Sequence, residues 1–149
     1  DALGVACQLL EEPALLPGGG ATQIALARHL RRFAEGFAGR EQLAVEAFAD
    51  ALEIIPRTLA QNAGLDPLDT LLQTVAKQTT DGSPNAHFIG LNVEKKQPAN
   101  MVEDGVVEPL RITRQVLAGA TEAALSVLRI DDVLWAKQDP TVPELPEED

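Results

Sequence analysis

The stretch PGGGATQIALARHL, residues 17–30, decides how the chain is divided. Gly18, Gly19 and Gly20 stand between an apolar segment ending at Leu16 and an amphipathic pattern beginning near Ala21, where one glycine would suffice to turn the chain. Glycine has no Cβ, so such a run serves either as a plain interdomain turn or as backbone that approaches a bound molecule closely. Beyond the glycines, Leu26, Leu30, Phe33 and Phe37 recur at helical spacing, which predicts a helix with these residues as its apolar stripe, ended by Gly36 and Gly39.

Upstream, Leu3, Ala6, Cys7 and Leu10 share one helical face over residues 1–11, and Pro13 stops that helix. Downstream, Ala44, Phe48, Ala51 or Leu52 and Ile55 form a stripe over residues 41–63 that continues past Pro56 through Leu59, Ala60 and Ala63, so Pro56 kinks the helix rather than ending it. Gly64 supplies a stop, and Asp66 followed by Pro67 has the cap-then-first-turn chemistry of a new helix to about Lys77.

From Asp81 the character changes: turn residues, then HFIGLNV, then EKKQPAN predict a short β-hairpin. Glu108 before Pro109 marks another helix start, and Leu110, Leu117, Ala120, Ala124 and Leu128 keep helical spacing in a long, central helix. RIDDVLWAK reads as a terminal strand, with Trp135 in packing, and the Pro- and acid-rich residues 138–149 as a disordered tail.

Composition agrees with a mainly α domain: 149 residues, 45% apolar, 3% aromatic and no tyrosine. A formal charge of −11 with dispersed Lys and Arg argues against nucleic-acid or anionic-membrane partners. The single Cys7 excludes an internal disulfide and reads as a small buried hydrophobe, while His29 and His87 offer no metal-ligand spacing. With its single cysteine the chain is expected in a reducing, cytoplasmic setting, and no apolar run has the length of a bilayer span. The chain opens on Asp1 inside a helical pattern, DALGVACQLL, as an excised fragment would.

Four blocks taken in order, PGGGATQIALARHL, REQLAVEAFADALEIIPRTLAQNAGLDP, GVVEPLRITRQ and ATEAALSVLRIDDV, resemble the C-terminal part of a group II chaperonin subunit, the class of the archaeal thermosome and the eukaryotic cytosolic chaperonin. The resemblance runs from Asp1 to about Trp135. It implies a helical equatorial-type domain with a small β-hairpin and a C-terminal strand. Residues 1–16 would be the end of the intermediate hinge domain and residues 17–137 the C-terminal half of the equatorial ATP-binding domain. The family's GDGTT phosphate loop and its apical domain have no counterpart in these residues.

The resemblance also implies a site for ATP and Mg²⁺. Gly18, Gly19 and Gly20 would form one wall of it, Glu108 would accept the ribose hydroxyls, and Gly90 and Val106 would line the adenine pocket. Asp1, in DAL, matches the residue that positions the water attacking the γ-phosphate, and any metal role here would come only through that Mg²⁺-linked water. Residue chemistry alone leaves Asp1 as a helix N-cap and Glu108 as a carboxylate favoured by a helix dipole. Asp66 stays a cap, and Arg57 and Arg114 are either ion-paired or solvated.

The implied parent is an ATP hydrolase. It would ring with other chaperonin subunits into double rings, take unfolded clients through its apical domain and close a chamber on ATP hydrolysis, whereas this chain alone would be inactive. The competing expectation is a non-hydrolysing helical protein-interaction module.

Overall fold

The computed structural model describes residues 2–80, 82–132 and 134. In chain order the elements are α1 (Ala2–Glu11), β1 (Leu15–Pro17), α2 (Ala21–Ala34), α3 (Arg40–Asn62), α4 (Pro67–Thr80), a 3₁₀ turn at Ala86–Phe88, β2 (Ile89–Asn92), β3 (Gln97–Asn100), β4 (Val107–Pro109) and α5 (Leu110–Leu128). The chain divides into two units, residues 1–114 and 115–149, and α5 begins in the first and ends in the second. Mainly α architecture with a small hairpin is thus observed as expected.

Helix α2 starts where Gly20, in the left-handed region at φ 74°, turns the chain without any side-chain cap. Its buried face is Ala21, Gln23, Ile24, Ala27 and Ala34, and not the expected stripe, because Leu26, Phe33 and Phe37 are exposed and Leu30 is half-buried. Helix α2 is apolar on two sides, and the small residues win the interior because they let α3 come close. On α3 the facing residues are Ala49, Leu52, Glu53, Pro56 and Ala60, with Pro56 inside one unbroken 23-residue helix.

The start of α4 is as its sequence predicts. Asp66 Oδ1 accepts hydrogen bonds from the backbone N–H of Leu68 (3.0 Å) and Asp69 (2.8 Å), satisfying two of the helix's otherwise orphan donors. From its last turns Gln78, nearly fully buried, reaches two other elements. Its Nε2 donates to the carbonyls of Ala21 (3.1 Å) and Ile89 (2.7 Å), pinning the first turn of α2 to β2.

Strands β2 and β3 pair antiparallel, with Gly90 opposite Ala99 and Asn92 opposite Gln97. Asn92 braces the turn by accepting from the Lys95 N–H (2.9 Å) and donating to Asp104 (2.7 Å), which also pairs with Lys95. The Lys95 ammonium and then the Asn92 amide hold the Asp104 carboxyl below its usual range. A carboxyl depressed in the folded state stabilises above its unfolded pKa, near pH 4, and loses that contribution as pH falls through the lowered value. The stability gap between wild type and Asp104→Asn is therefore expected at neutral pH and to narrow in an acid titration below about pH 4.

Other sequence expectations change as well. Glu108 and Pro109 do not open a helix; they lie in β4, which pairs antiparallel with β1 so that Leu16 faces Glu108 and Pro17 faces Val107, and α5 follows at Leu110. Along α5 only Thr113 is buried, so the helix is long but does not serve as the core element expected of it. Cys7 is exposed rather than buried, on a helix none of whose residues from Leu3 to Glu11 is fully buried. Ile130, Asp131, Asp132 and Leu134 adopt no regular structure, and the rest of the expected strand, Trp135 and residues 138–149 lie outside the described residues. Among the described residues no helix is long and apolar enough to cross a membrane.

Candidate functional site

Each of the three glycines faces a different neighbour, and none has room for a side chain. A Cβ on Gly18 would lie 2.9 Å from Val106 Cγ1, one on Gly19 2.6 Å from the Leu91 carbonyl oxygen, and one on Gly20 2.7 Å from Pro56 Cβ. The loop is thus the point where β4's approach, the β2–β3 hairpin and α3 converge. Backbone bonds fix it: the Gly18 N–H donates to Val106 O (2.9 Å) and the Leu91 N–H to Gly19 O (2.8 Å).

Those bonds use the Gly18 amide and the Gly19 carbonyl and leave the amides that follow. Among the described residues the N–H groups of Gly19, Gly20, Thr22 and Gln23 have no hydrogen-bond partner. Four orphan donors at the start of a 14-residue helix, with the positive end of its dipole, make a cradle suited to an anion.

A cleft of about 460 Å³ opens beside this loop. Gly19, Gly20 and Gln23 line one side, and α3 lines the other with Ile54, Ile55, Thr58, Leu59 and Asn62. Glu108 completes it from β4, where pairing with Leu16 fixes the strand. The Glu108 side chain is half-buried and makes no hydrogen bond or ion pair among the described residues, so its oxygens remain available to donors on a bound molecule. The cleft therefore combines amide donors, an apolar wall and a carboxylate acceptor, the complement of a molecule with an anionic group, a flat apolar part and hydroxyls.

Of the residues singled out from sequence, Gly19, Gly20 and Glu108 meet at the cleft. Gly18, Gly90 and Val106 form the layer behind or beside it. A Cβ on Gly90 would sit 2.7 Å from Gly18 O and 2.9 Å from Gly19 O, so this glycine lets β2 press directly against the loop. Val106 holds Gly18 through its carbonyl. Asp1 lies outside the described residues. Arg57 and Arg114 are both paired, with Glu53 (3.2 Å) and Glu12 (3.4 Å). Sequence reading missed Gln23, Ile54, Thr58 and Asn62, and it placed Ile55 and Leu59 on the packed stripe of α3 rather than on a cleft wall.

Residues 1–138 match the model of the TCP-1/cpn60 chaperonin family. The chain is 56% identical over 138 residues to the thermosome subunit of Methanopyrus kandleri, and 53% identical over the same length to that of Methanocaldococcus jannaschii. Each alignment covers 93% of this chain and 25% of the relative, so the chain spans about a quarter of their length. Among solved structures it resembles the open-state monomer of a group II chaperonin from Methanococcoides burtonii, with a TM-score of 0.72 and 44% identity over 78% of this chain and 28% of that one.

Proposed function

The chain belongs to the TCP-1/cpn60 chaperonin family, and from that premise we propose that its cleft is one half of the ATP site of a chaperonin subunit. The observation that carries this reading is the meeting of orphan amides and an unpaired carboxylate in one cleft. The amides of Gly19, Gly20, Thr22 and Gln23 bind phosphate oxygens, and Glu108 accepts the ribose hydroxyls. The Ile54, Ile55 and Leu59 face gives the base an apolar wall, while Val106 and Gly90 shape the site by fixing the loop. Bound ATP with its Mg²⁺ supplies the phosphoanhydride bond that water cleaves and the neutralisation of its charge.

By the family resemblance this chain supplies no metal ligand of its own beyond the Mg²⁺-linked water near Asp1, and the cation comes with the phosphates. Asp1 orients the attacking water, a role that rests on the family resemblance of DAL alone. Residues 1–16 then belong to the hinge domain and 17–137 to the equatorial domain. The exposed Phe33, Phe37 and Leu43 support a larger fold around this piece. The whole subunit forms double rings in the cytoplasm with other subunits, engages unfolded clients through an apical domain and closes a chamber on hydrolysis.

Glu108→Ala in the full-length subunit tests the site. Loss of a charged acceptor is expected to weaken ADP binding about tenfold by calorimetry, and the difference should vanish with 2′,3′-dideoxy-ADP. Equal affinity of variant and wild type for ADP would remove the ribose assignment.

A further inference from the structure

Helix α1 has little apolar anchorage. None of its residues from Leu3 to Glu11 is fully buried, and Leu3 and Leu10 are 83% and 87% exposed. What ties it down is charge: Glu11 pairs with Arg111 at the start of α5, and Glu12, just past the end of α1, pairs with Arg114 at 3.4 Å. None of these four side chains is buried. Exposed pairs are weak and screened by salt, so they close an interface without locking it. One turn earlier on the same helix face, Gln8 Oε1 is buried with no hydrogen-bond partner among the described residues. An unpaired buried acceptor works against the docked position, and the two ion pairs offset it.

The mounting of the two helices gives this weak tie a reach beyond α1. Strands β1 and β4 run antiparallel with Leu15 opposite Pro109, so the end of α1 and the start of α5 spring from the same end of one short ladder. At that end the Leu110 N–H donates to Ala14 O (3.0 Å), and at the other the Gly18 N–H donates to Val106 O (2.9 Å). The second end is the glycine loop, and Glu108 lies on the ladder between the two. Only Glu12, Pro13 and Ala14 separate α1 from β1, tightened by a bond from the Ala14 N–H to Glu12 O (2.8 Å). With so little slack, a change in the tilt of α1 turns β1 and is felt beside Glu108.

We propose that the Glu11–Arg111 and Glu12–Arg114 pairs are a releasable latch that sets the tilt of α1, and that the β1–β4 ladder couples this latch to occupancy of the cleft. The latch stands on the packing of α1 alone, whereas the coupling rests on the nucleotide reading of the cleft. A nucleotide that engages Glu108 and the loop amides stiffens the ladder and favours the docked helix. By reciprocity, the docked helix favours the nucleotide.

The test uses the full-length subunit in its assembled form, with amide hydrogen exchange of residues 3–11 read against α4, and with ADP affinity by calorimetry. Arg111→Gln combined with Arg114→Gln is expected to speed exchange in residues 3–11 about three- to tenfold and to leave α4 unchanged. Raising salt from about 0.1 M to about 0.5 M should speed the same residues in wild type and add nothing in the double variant. Glu11→Arg and Arg111→Glu should each release α1 when made singly and keep it protected when made together. Gln8→Leu, which removes the orphan oxygen, should slow exchange below the wild-type rate. Saturating ADP should slow exchange in wild-type residues 3–11 about two- to threefold, and the Arg111→Gln, Arg114→Gln variant should bind ADP more weakly by a similar factor.

Unchanged exchange in that double variant, or no protection from the exchanged charges, overturns the latch. A released α1 with wild-type ADP affinity overturns the coupling. A wild-type subunit that binds no ADP rejects the site and the coupling together, and the exchange rates without nucleotide still decide the latch.

Discussion

Replacing Gly19 by alanine is expected to destabilise the protein by roughly 2–4 kcal/mol, the sum of a left-handed backbone forced on a side chain and a clash that the core cannot relieve. Gly19 has φ 61°, and a Cβ there would lie 2.5 Å from Met101 Sδ and 2.6 Å from Leu91 O. The thioether can shift only into a filled interior, since Met101 is fully buried. The carbonyl cannot shift at all without disturbing β2, whose Leu91 N–H is bonded back to Gly19 O at 2.8 Å.

Gly64→Ala supplies the control. Gly64 has φ 72° and nothing within 4 Å of its Cβ position, so that substitution carries only the backbone penalty of about 1 kcal/mol. The difference between the two unfolding free energies measures the contact itself. Equal losses in Gly19→Ala and Gly64→Ala would mean that the loop yields and that close approach to β2 is not what requires glycine. Since the same backbone carries the cradle amides, Gly19→Ala should also reduce ADP affinity, whereas Gly64→Ala should leave it unchanged.

The helices were legible because each repeats its signal: 3.6-residue periodicity over ten or more residues, with Asp66–Pro67 and the glycine run marking starts. The β1–β4 pair was not, because three-residue strands have no period to detect and Leu16 meets Glu108 from the far side of six other elements. Glu108–Pro109 chemistry suits a helix start as well as a strand end, and only the partner strand decides between them. The buried side of α2 was misjudged for a related reason. Large apolar residues dominate a periodicity count, yet Ala21, Ala27 and Ala34 take the interface where close helix approach matters more than side-chain volume. At the site, the glycines and Glu108 were named through family resemblance, and no spacing could have joined residues about ninety positions apart. Gln23 was passed over because a glutamine in a first helical turn looks like an ordinary helix former.

Glu53→Ala should be the second severe substitution, at roughly 2–4 kcal/mol. Glu53 is 3% exposed in the middle of α3, where it pairs with Arg31 of α2 and with Arg57 one turn onward at 3.2 Å. Glu53, followed by Asp50 at 2.8 Å, raises the Arg31 pKa still further above its ordinary value. A raised pKa stabilises at every pH below the unfolded value, so this contribution is constant across the working range and is lost only in strong alkali.

Removing Glu53 treats its two partners differently. Both side chains are about 40% exposed and reach water, but Arg31 also keeps a carboxylate, Asp50. Arg57 keeps no carboxylate, and its Nε is already buried without a partner. Most of the loss should therefore be charged to Arg57, and a double-mutant cycle of Glu53→Ala with Arg57→Ala is expected to show a coupling of about 1–2 kcal/mol, larger than that of Glu53→Ala with Arg31→Ala. Equal couplings would place the weight on the α2–α3 bridge instead. Arg57 follows Pro56, the residue packed on Gly20, and stands in the turn between the cleft residues Ile55 and Thr58. The ion pair thus fixes the register of the α3 wall against the glycine loop, and its removal should weaken ADP binding even though neither charge lines the cleft.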